Sequence, residues 1–243
     1  MKKALNFKIT LVVGFLLVLG LTSESYAQRN RSSAGYNYNS YKSKQYYFGL
    51  TLGYSSSKYR VFRSKQFLLN NEFDRVDGVR GPGFNLAMIG NLKIGEYVDI
   101  RFNPGFAFGE RNIEYVTNDD INNNYLRKFE SVFVEIPLQF RYKSEAYRDM
   151  KLFLMGGIKY SYDLSSDSKS RQAATIVKIS PSDFSLEVGA GFQFFFPYFI
   201  FSPELKFSHG LNNILIYDDK LTQSKILDKL FSRGFTLSLH FEG

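Results

Sequence analysis

The stretch that decides the fold is "GFQFFFPYFIFSPELKF", residues 191–207, which places eight aromatic rings in seventeen positions and contains Pro197 and Pro203. A water-soluble domain would have difficulty hiding so many rings in one short segment. Proline removes a backbone donor and interrupts a helix, so a continuous spanning helix is not expected here either. The segment therefore indicates strands that contact lipid, and the rest of the chain can be tested for the same property.

The start of the chain predicts export. Lys2, Lys3 and Lys8 flank an apolar run over residues 9–21, and "SYAQ" follows that run. A positive start, a short apolar run and a small-residue cleavage site are typical of a secretory signal peptide. The run falls short of the roughly 20 residues that a spanning helix needs. We therefore expect residues 1–27 to be a signal peptide.

A basic, tyrosine-rich segment follows, over residues 28–46, in a chain whose formal net charge is +8. It contains Arg29, Arg31, Lys42 and Lys44 and no acidic residue. Such a segment can bind nucleic acid, lie on an anionic membrane or be a solvated linker. Export makes nucleic acid the poorest of these partners, so we interpret the segment as periplasmic and available to periplasmic partners.

The amino-acid composition argues against several classes of site. The chain has no cysteine and only two histidines, His209 and His240. Disulfide frameworks, thiol nucleophiles and histidine-rich metal sites are therefore not expected. The pairs Asp119/Asp120 and Asp218/Asp219 could bind a cation or act as acid and base, but helix caps and solvated turns explain such pairs more simply. We expect no catalytic residue, no metal and no cofactor, and a small-molecule ligand is not expected either.

Beyond residue 27 the apolar residues recur with a period of two. In "VDIRFNPGFAFG", residues 98–109, Val98 and Ile100 alternate with Asp99 and Arg101. Segments of about ten residues that alternate apolar and polar side chains are typical of membrane-spanning β-strands. The pattern recurs in eight segments, at residues 48–54, 83–92, 98–109, 132–142, 151–164, 184–194, 201–208 and 233–243. The predicted fold is an all-β, eight-stranded, antiparallel up-and-down transmembrane β-barrel of the outer-membrane type, over residues 47–243.

The connections between these segments alternate in length. Residues 93–97, 144–149 and 195–198 form short links, whereas residues 56–82, 110–128, 165–182 and 211–232 form long polar ones. Outer-membrane barrels have short periplasmic turns and longer external loops. This order predicts that both chain termini are periplasmic. In the last long link, "YDDKLTQSKILDKLF", we expect a short helix with Ile226, Leu227, Leu230 and Phe231 on one side, covering the barrel mouth or meeting another protein.

The alternative fold is a soluble lipocalin-like barrel, which would bury the apolar side chains and expose the charged ones. An eight-stranded barrel has room for little more than its own side chains, so the phenylalanines would overfill it. We therefore place the charged residues of the strands in the lumen, where they can pair with one another. The predicted lumen charges are Asp99, Arg101, Glu135, Arg141, Lys159, Glu187, Glu204 and Lys206. A lumen filled by paired charges is too narrow for solute transport.

Three prolines depart from the strand pattern, because Pro104, Pro137 and Pro203 lie inside predicted strands. Each one removes a donor from the ladder. Bulges that bend the wall are the simplest explanation. The alternative is a weak belt at which strands could part for a partner.

Three segments carry a resemblance to a known family. They are "GPGFNLAMIGNLKIGEYVDIRFNPGFAFGERNIEY" (81–115), "FFFPYFIFSPELKFSHGLNN" (194–213) and "FSRGFTLSLHF" (231–241). In these segments the chain resembles the PorT family. The resemblance implies a non-enzymatic outer-membrane barrel of the type IX secretion system, which exports cargo with C-terminal sorting domains and supports motility in gliding bacteria. It also implies contacts with other secretion subunits, whereas a generic structural or adhesion barrel is the alternative.

Overall fold

The computed structural model describes residues 37–65, 67, 73–117, 124–165, 178–217 and 226–243. The predicted signal peptide, residues 1–27, and the first part of the basic segment lie outside these residues. The pairs Asp119/Asp120 and Asp218/Asp219 lie outside them as well. No helix of the described part is long and apolar enough to cross a membrane.

One short helix, α1 (Tyr38–Lys42), precedes a series of strands. The strands are β1 (Tyr46–Arg63), β2 (Phe73–Lys93), β3 (Val98–Phe102), β4 (Gly105–Thr117), β5 (Asn124–Lys143), β6 (Met150–Asp163), β7 (Lys178–Ile179), β8 (Ser182–Phe195), β9 (Ile200–Gly210), β10 (Leu215–Ile216) and β11 (Leu227–Glu242).

The strands close into a ring. Strands that follow one another in the wall pair antiparallel, and β1 pairs with both β2 and β11, which closes the sheet on itself. β3 and β4 lie end to end, since both pair with β2 and with β5. Counted as one, they give a ring of eight strands within the described residues, so the predicted up-and-down barrel is confirmed. β7 and β10 form a separate two-stranded ladder.

The two ends of the barrel differ in their connections. Residues 94–97, 144–149 and 196–199 are short turns at one end, which we call the turn end; the other connections lie at the opposite end, the loop end. The three predicted short links are confirmed, but the predicted long link over residues 110–128 is not, since β4 ends at Thr117 and β5 begins at Asn124. The last residue is also at the turn end, where Gly243 donates its N–H to the carbonyl of Phe48 at 2.9 Å.

The outward face of the strands is a band of apolar side chains. Phe48 is 70% exposed, Met88 67% and Phe140 55%, and each lies on the side of its strand that faces away from the barrel. The inward positions between them hold mainly small, polar or charged residues. Ile89 of β2 and Phe153 and Met155 of β6 are large apolar residues at inward positions, and all three are buried.

The strands extend farther toward the loop end than the sequence predicted. β1 continues to Arg63 and β2 begins at Phe73, so most of the expected loop over residues 56–82 is strand. In these extensions the alternation is inverted: Tyr59 and Val76 point inward and are buried, whereas Arg60 is exposed. We call this part the upper barrel, and the part with inward charges the lower barrel. The prediction of a loop over residues 56–82 was wrong because the outward residues of these strand extensions are polar, as residues of loops usually are.

The expected helix in the last long link is wrong for the part of it that the structure describes. Leu227, Leu230 and Phe231 belong to β11, where Leu230 pairs with Val61 and Phe231 with Arg60 of β1. Their helical spacing arises instead from a strand whose register shifts near Arg63. Leu227 and Leu230 nevertheless close the barrel mouth, since both are buried.

Apolar clusters close the interior at both ends. The loop-end cluster consists of Tyr59, Val76, Ile113, Tyr115, Ile214, Ile226, Leu227 and Leu230. The turn-end cluster consists of Tyr38, Tyr41, Tyr47, Phe195 and Ile200. The charged interior of the lower barrel lies between them.

The in-strand prolines coincide with breaks in the ladder. Pro104 separates β3 from β4, and the carbonyl of Pro137 accepts the N–H of Asn103 at 3.4 Å across that break. Near Pro203 the pairing of β8 with β9 is interrupted between Glu204 and Phe201. The wall is therefore irregular at three proline positions, all in its lower half.

Candidate functional site

The charged interior of the lower barrel begins, near the turn end, with a three-residue ionic cluster. Arg101 Nη2 lies 2.6 Å from Glu242 Oε1, and Arg141 Nη1 lies 3.8 Å from the same oxygen. The three side chains are fully buried. The guanidinium of Arg141 also stacks on the ring of Phe153, 3.6 Å from its centroid. A single carboxylate from the last strand thus faces two arginines of the opposite wall.

Further hydrogen bonds hold these groups in place. Arg101 Nε donates to Asn91 Oδ1 at 3.1 Å, and Ser202 Oγ donates to Glu242 Oε1 at 3.2 Å. Asp99, two residues before Arg101 in β3, accepts a hydrogen bond of 2.7 Å from Lys143 Nζ. Fixed partners of this kind are what a buried charge requires, because an unpaired one would be costly to desolvate.

A second group of charges lies nearer the middle of the barrel. Lys159 Nζ lies 2.7 Å from Glu135 Oε1 and 3.4 Å from Glu187 Oε1. Glu187 also faces Lys206 Nζ at 3.5 Å and accepts a bond of 2.9 Å from Gln139 Nε2. The two lysines and two glutamates come from β5, β6, β8 and β9, which are consecutive in the ring, so each ion pair joins two neighbouring strands along the inner face of the wall.

His240 connects a hydroxyl to a carboxylate. Its Nδ1 lies 2.8 Å from Thr51 Oγ1, and its Nε2 lies 3.5 Å from Glu204 Oε2. Thr51 also donates to Asn103 Oδ1 at 3.1 Å. The order of hydroxyl, imidazole and carboxylate resembles a nucleophilic triad, but all of these groups are buried between the two apolar clusters. The arrangement therefore cross-links the wall and offers a substrate no approach.

The eight predicted lumen charges fall into these two groups and the histidine contact. Arg101, Arg141 and Asp99 lie in the first group, and Glu204 contacts His240. The other four form the second group. Two essential partners, Lys143 and Glu242, were missed. Each follows an inward residue by two positions, so the period of two would have indicated both.

Above the second group is a small polar cavity. It has about 30 Å³ of space, enough for about two water molecules. Its lining includes Ser55, Ser161, Ser185, Ser208 and Ser232, with Arg111 and Arg233 nearby. Ser232 donates a short hydrogen bond to Asp183. No group of three or more histidine, aspartate or glutamate side chains in the described ranges could hold a metal ion.

The turn end is covered by α1, which the sequence did not predict as a helix. The backbone N–H of Tyr38 donates to Asp149 Oδ1 at 3.0 Å, and Asn37 Nδ2 donates to the carbonyl of Phe195 at 3.2 Å. The Tyr38 ring packs edge-on against Phe195, 5.0 Å between centroids, and Lys151 Nζ lies 4.4 Å from its centre. Two tyrosines of the basic segment, Tyr38 and Tyr41, are therefore buried against the barrel.

Comparison with known proteins places this geometry in a family. The chain matches the family described as "Outer membrane protein beta-barrel domain" over residues 26–215. No curated protein sequence matches the chain.

Similar solved structures include OprG from Pseudomonas aeruginosa, 10% identical, with 83% of this chain and 95% of that chain covered and a TM-score of 0.49. Neisserial surface protein A is 10% identical, with 80% and 95% covered and a TM-score of 0.40. The attachment invasion locus protein Ail of Yersinia pestis is 14% identical, with 82% and 100% covered and a TM-score of 0.36. The match over residues 26–215 shows that this chain belongs to the outer membrane protein beta-barrel family.

Proposed function

We propose that this protein is a non-conducting and non-enzymatic scaffold of the outer membrane. The observation that supports this most directly is the closed interior. Glu242 pairs across the lumen with Arg101 and Arg141, the second group of charges pairs along the inner face of the wall, and apolar clusters close both ends. A solute would have to displace both the ion pairs and the clusters, so the walls of the barrel, and the surfaces at its ends, are what the protein offers to partners.

We also propose an orientation, which the positions of the short turns support. Outer-membrane barrels have short turns on the periplasmic side. We therefore assign the turn end, with α1 and Gly243, to the periplasm and the loop end to the outside, with residues 1–27 as the export signal.

Ion conductance tests the closed interior. The processed protein, reconstituted in a planar bilayer, should give no channel steps above the baseline. A matched variant without α1, lacking residues 28–45, keeps the loop-end cluster and should also remain closed. Steady conductance by the unmodified protein would contradict the scaffold proposal.

A more specific proposal is a role in protein secretion of the type IX, PorT-like kind. Two of the segments that resemble that family contact each other inside the barrel, since Glu204 of the second lies 3.5 Å from His240 of the third, and Arg101 of the first is also buried there. Sequence likeness in interior positions supports a shared framework rather than a shared surface. A structural or adhesion role without secretion partners is the competing function.

Two experiments separate these functions. Deletion of the gene should leave cargo with C-terminal sorting domains in the periplasm, as detected by fractionation and immunoblotting. The tagged protein, purified from detergent-solubilised envelopes, should bring other secretion subunits with it. Normal secretion in the deletion strain together with isolation of the protein alone would leave the structural or adhesion role.

A further inference from the structure

A basic cleft opens at the turn end, beside α1. It is an open groove of about 370 Å³ between residues 42–45, at the junction of α1 and β1, and residues 93–96, at the end of β2 and in the turn that follows. Both walls are held in place, since Lys93 Nζ donates to the carbonyl of Lys42 at 3.0 Å and the N–H of Lys93 donates to the carbonyl of Gln45 at 2.9 Å. The cleft is therefore a built feature of the barrel end.

The charge of this cleft is positive. Three lysines line it, Lys42, Lys44 and Lys93, against one carboxylate, Glu96. Glu96 is already engaged, because its Oε1 lies 3.0 Å from Lys42 Nζ. Within the described residues neither Lys44 nor Lys93 has a carboxylate partner, and Lys44 Nζ contacts only the face of the Tyr41 ring, 5.1 Å from its centroid. The Lys44 ammonium thus remains for an anion, and Lys93 Nζ, which donates to the carbonyls of Tyr41 and Lys42 at 3.4 and 3.0 Å, adds its positive charge and one remaining N–H.

The cleft also adjoins the apolar band. Ile94 on its rim is 60% exposed, and Tyr46, at the start of β1, is 54% exposed on the outward face. Phe48 continues that face toward the middle of the wall. A ligand that places a negative headgroup between the lysines can therefore lay a hydrocarbon chain along β1 and β2. Basic pockets at the edge of a membrane-spanning surface bind anionic lipid headgroups in this way.

We propose that this cleft binds the phosphate of an anionic phospholipid of the phosphatidylglycerol type. The phosphate contacts Lys44 from the segment after α1 and Lys93 from β2, and the acyl chains lie on Tyr46 and Phe48. Because the two lysines belong to different elements, the bound lipid ties α1 to the turn end. This inference depends on the family's location in the membrane, and it is independent of any secretion partner.

The test is native mass spectrometry of the full processed protein in detergent. It is titrated with a short-chain phosphatidylglycerol and, separately, with phosphatidylcholine of the same acyl chains. We expect the phosphatidylglycerol adduct to form at lower lipid concentration. The variant Lys42→Gln/Lys44→Gln/Lys93→Gln should bind phosphatidylglycerol at least about tenfold more weakly, given about 1 kcal/mol for each basic residue near an anionic membrane surface.

The matched control removes the same charge elsewhere. Lys65→Gln/Lys128→Gln/Lys229→Gln changes three exposed lysines at the loop end and should leave binding unchanged. The single variant Lys44→Gln, whose side chain holds no part of the fold beyond the Tyr41 ring, should weaken binding by about fivefold. Equal binding of both lipids, equal losses in both triple variants, or full competition by millimolar inorganic phosphate would each overturn the proposal.

Discussion

The lower and the upper barrel are built from the same strands but with opposite polarity. In β1 the lower part exposes Phe48 outward and turns Thr51 inward, whereas the upper part exposes Arg60 outward and buries Tyr59 inward. Inward and outward side chains alternate without interruption along β1, so the two parts do not differ in the direction in which successive side chains point. We attribute the opposite polarity to a change in the medium that surrounds the wall.

This difference explains how each half is stabilised. Apolar side chains that face lipid gain nothing from moving inward, so the lower interior is left to charges that pair with one another. Where water surrounds the wall, the hydrophobic effect draws apolar side chains inside and forms an ordinary core. We therefore infer that the position at which the polarity inverts marks the edge of the membrane on the loop side.

The largest expected effect comes from the ionic interior of the lower barrel. Glu242→Leu leaves Arg101 and Arg141 buried without their carboxylate. We expect the free energy of unfolding to fall by about 3–5 kcal/mol, the usual cost of removing one partner of a buried pair. Urea titration of the liposome-inserted protein, followed by heat-modifiable electrophoretic mobility, measures it. The control Glu145→Leu, at an exposed site of the turn end, should change the value by less than about 0.5 kcal/mol.

The next largest effect is expected from an arginine placed on the outward face, which should destabilise the lower barrel more than the upper barrel. Leu205, in the middle of β9, is 60% exposed on the lower barrel, and Leu205→Arg should lower the free energy of unfolding by about 2–4 kcal/mol. Phe62→Arg, on the outward face of the upper barrel, should cost about 1 kcal/mol, because it loses only exposed contacts with the Phe231 ring and the Arg60 guanidinium. Equal losses in the same urea titration would show that the inversion does not mark the membrane edge.

One methyl group gives a finer comparison. Ile113 is fully buried in the loop-end cluster, so Ile113→Val should lower the free energy of unfolding by about 0.5–1.5 kcal/mol. Ile158 is 55% exposed on the lipid side of β6, where the neighbouring hydrocarbon is as apolar as the lost group, and Ile158→Val should have an effect below about 0.5 kcal/mol. A larger loss at Ile158 would indicate that this side chain packs against protein.

The smallest effect concerns α1 and pH. Burial, with the nearby Glu96 carboxylate, raises the pKa of Tyr38 to about 12. A raised folded-state pKa means that the contribution of Tyr38 to docking is complete below about pH 10 and is lost as the pH rises toward 12. A nitroxide label at Ser40→Cys, unique because the chain has no cysteine, should become more mobile over that range. In a Tyr38→Phe background the change should be smaller; an identical change would exclude Tyr38 as its source.

The lower barrel could be predicted because lipid makes its alternation unambiguous. Phe102 and Phe140 face outward, whereas their sequence neighbours Arg101 and Arg141 face inward, and no other fold accommodates that alternation as well. The upper barrel could not be predicted in the same way. There Tyr59 and Val76 are inward among exposed charges, so the strands resemble polar loops until the closed wall is known.

The remaining differences arise from long-range contacts. α1 is only five residues long, and its position depends on Asp149 and Phe195, more than a hundred residues away. Lys143 and Glu242 had the right parity but pair with residues on other strands. The partners of Glu242 across the lumen depend on the stagger of the strands, which a local pattern does not contain.

The seam between β1 and β11 joins the beginning of the sheet to its end, and Glu242 lies within it, opposite Gly49. The carboxylate that neutralises two arginines of the far wall is therefore delivered by β11, the strand that closes the ring on β1. Until β11 is in place, a partly inserted sheet would carry uncompensated positive charge into hydrocarbon. Neutralisation and closure thus become one event, which disfavours half-assembled intermediates and favours insertion of the whole ring at once.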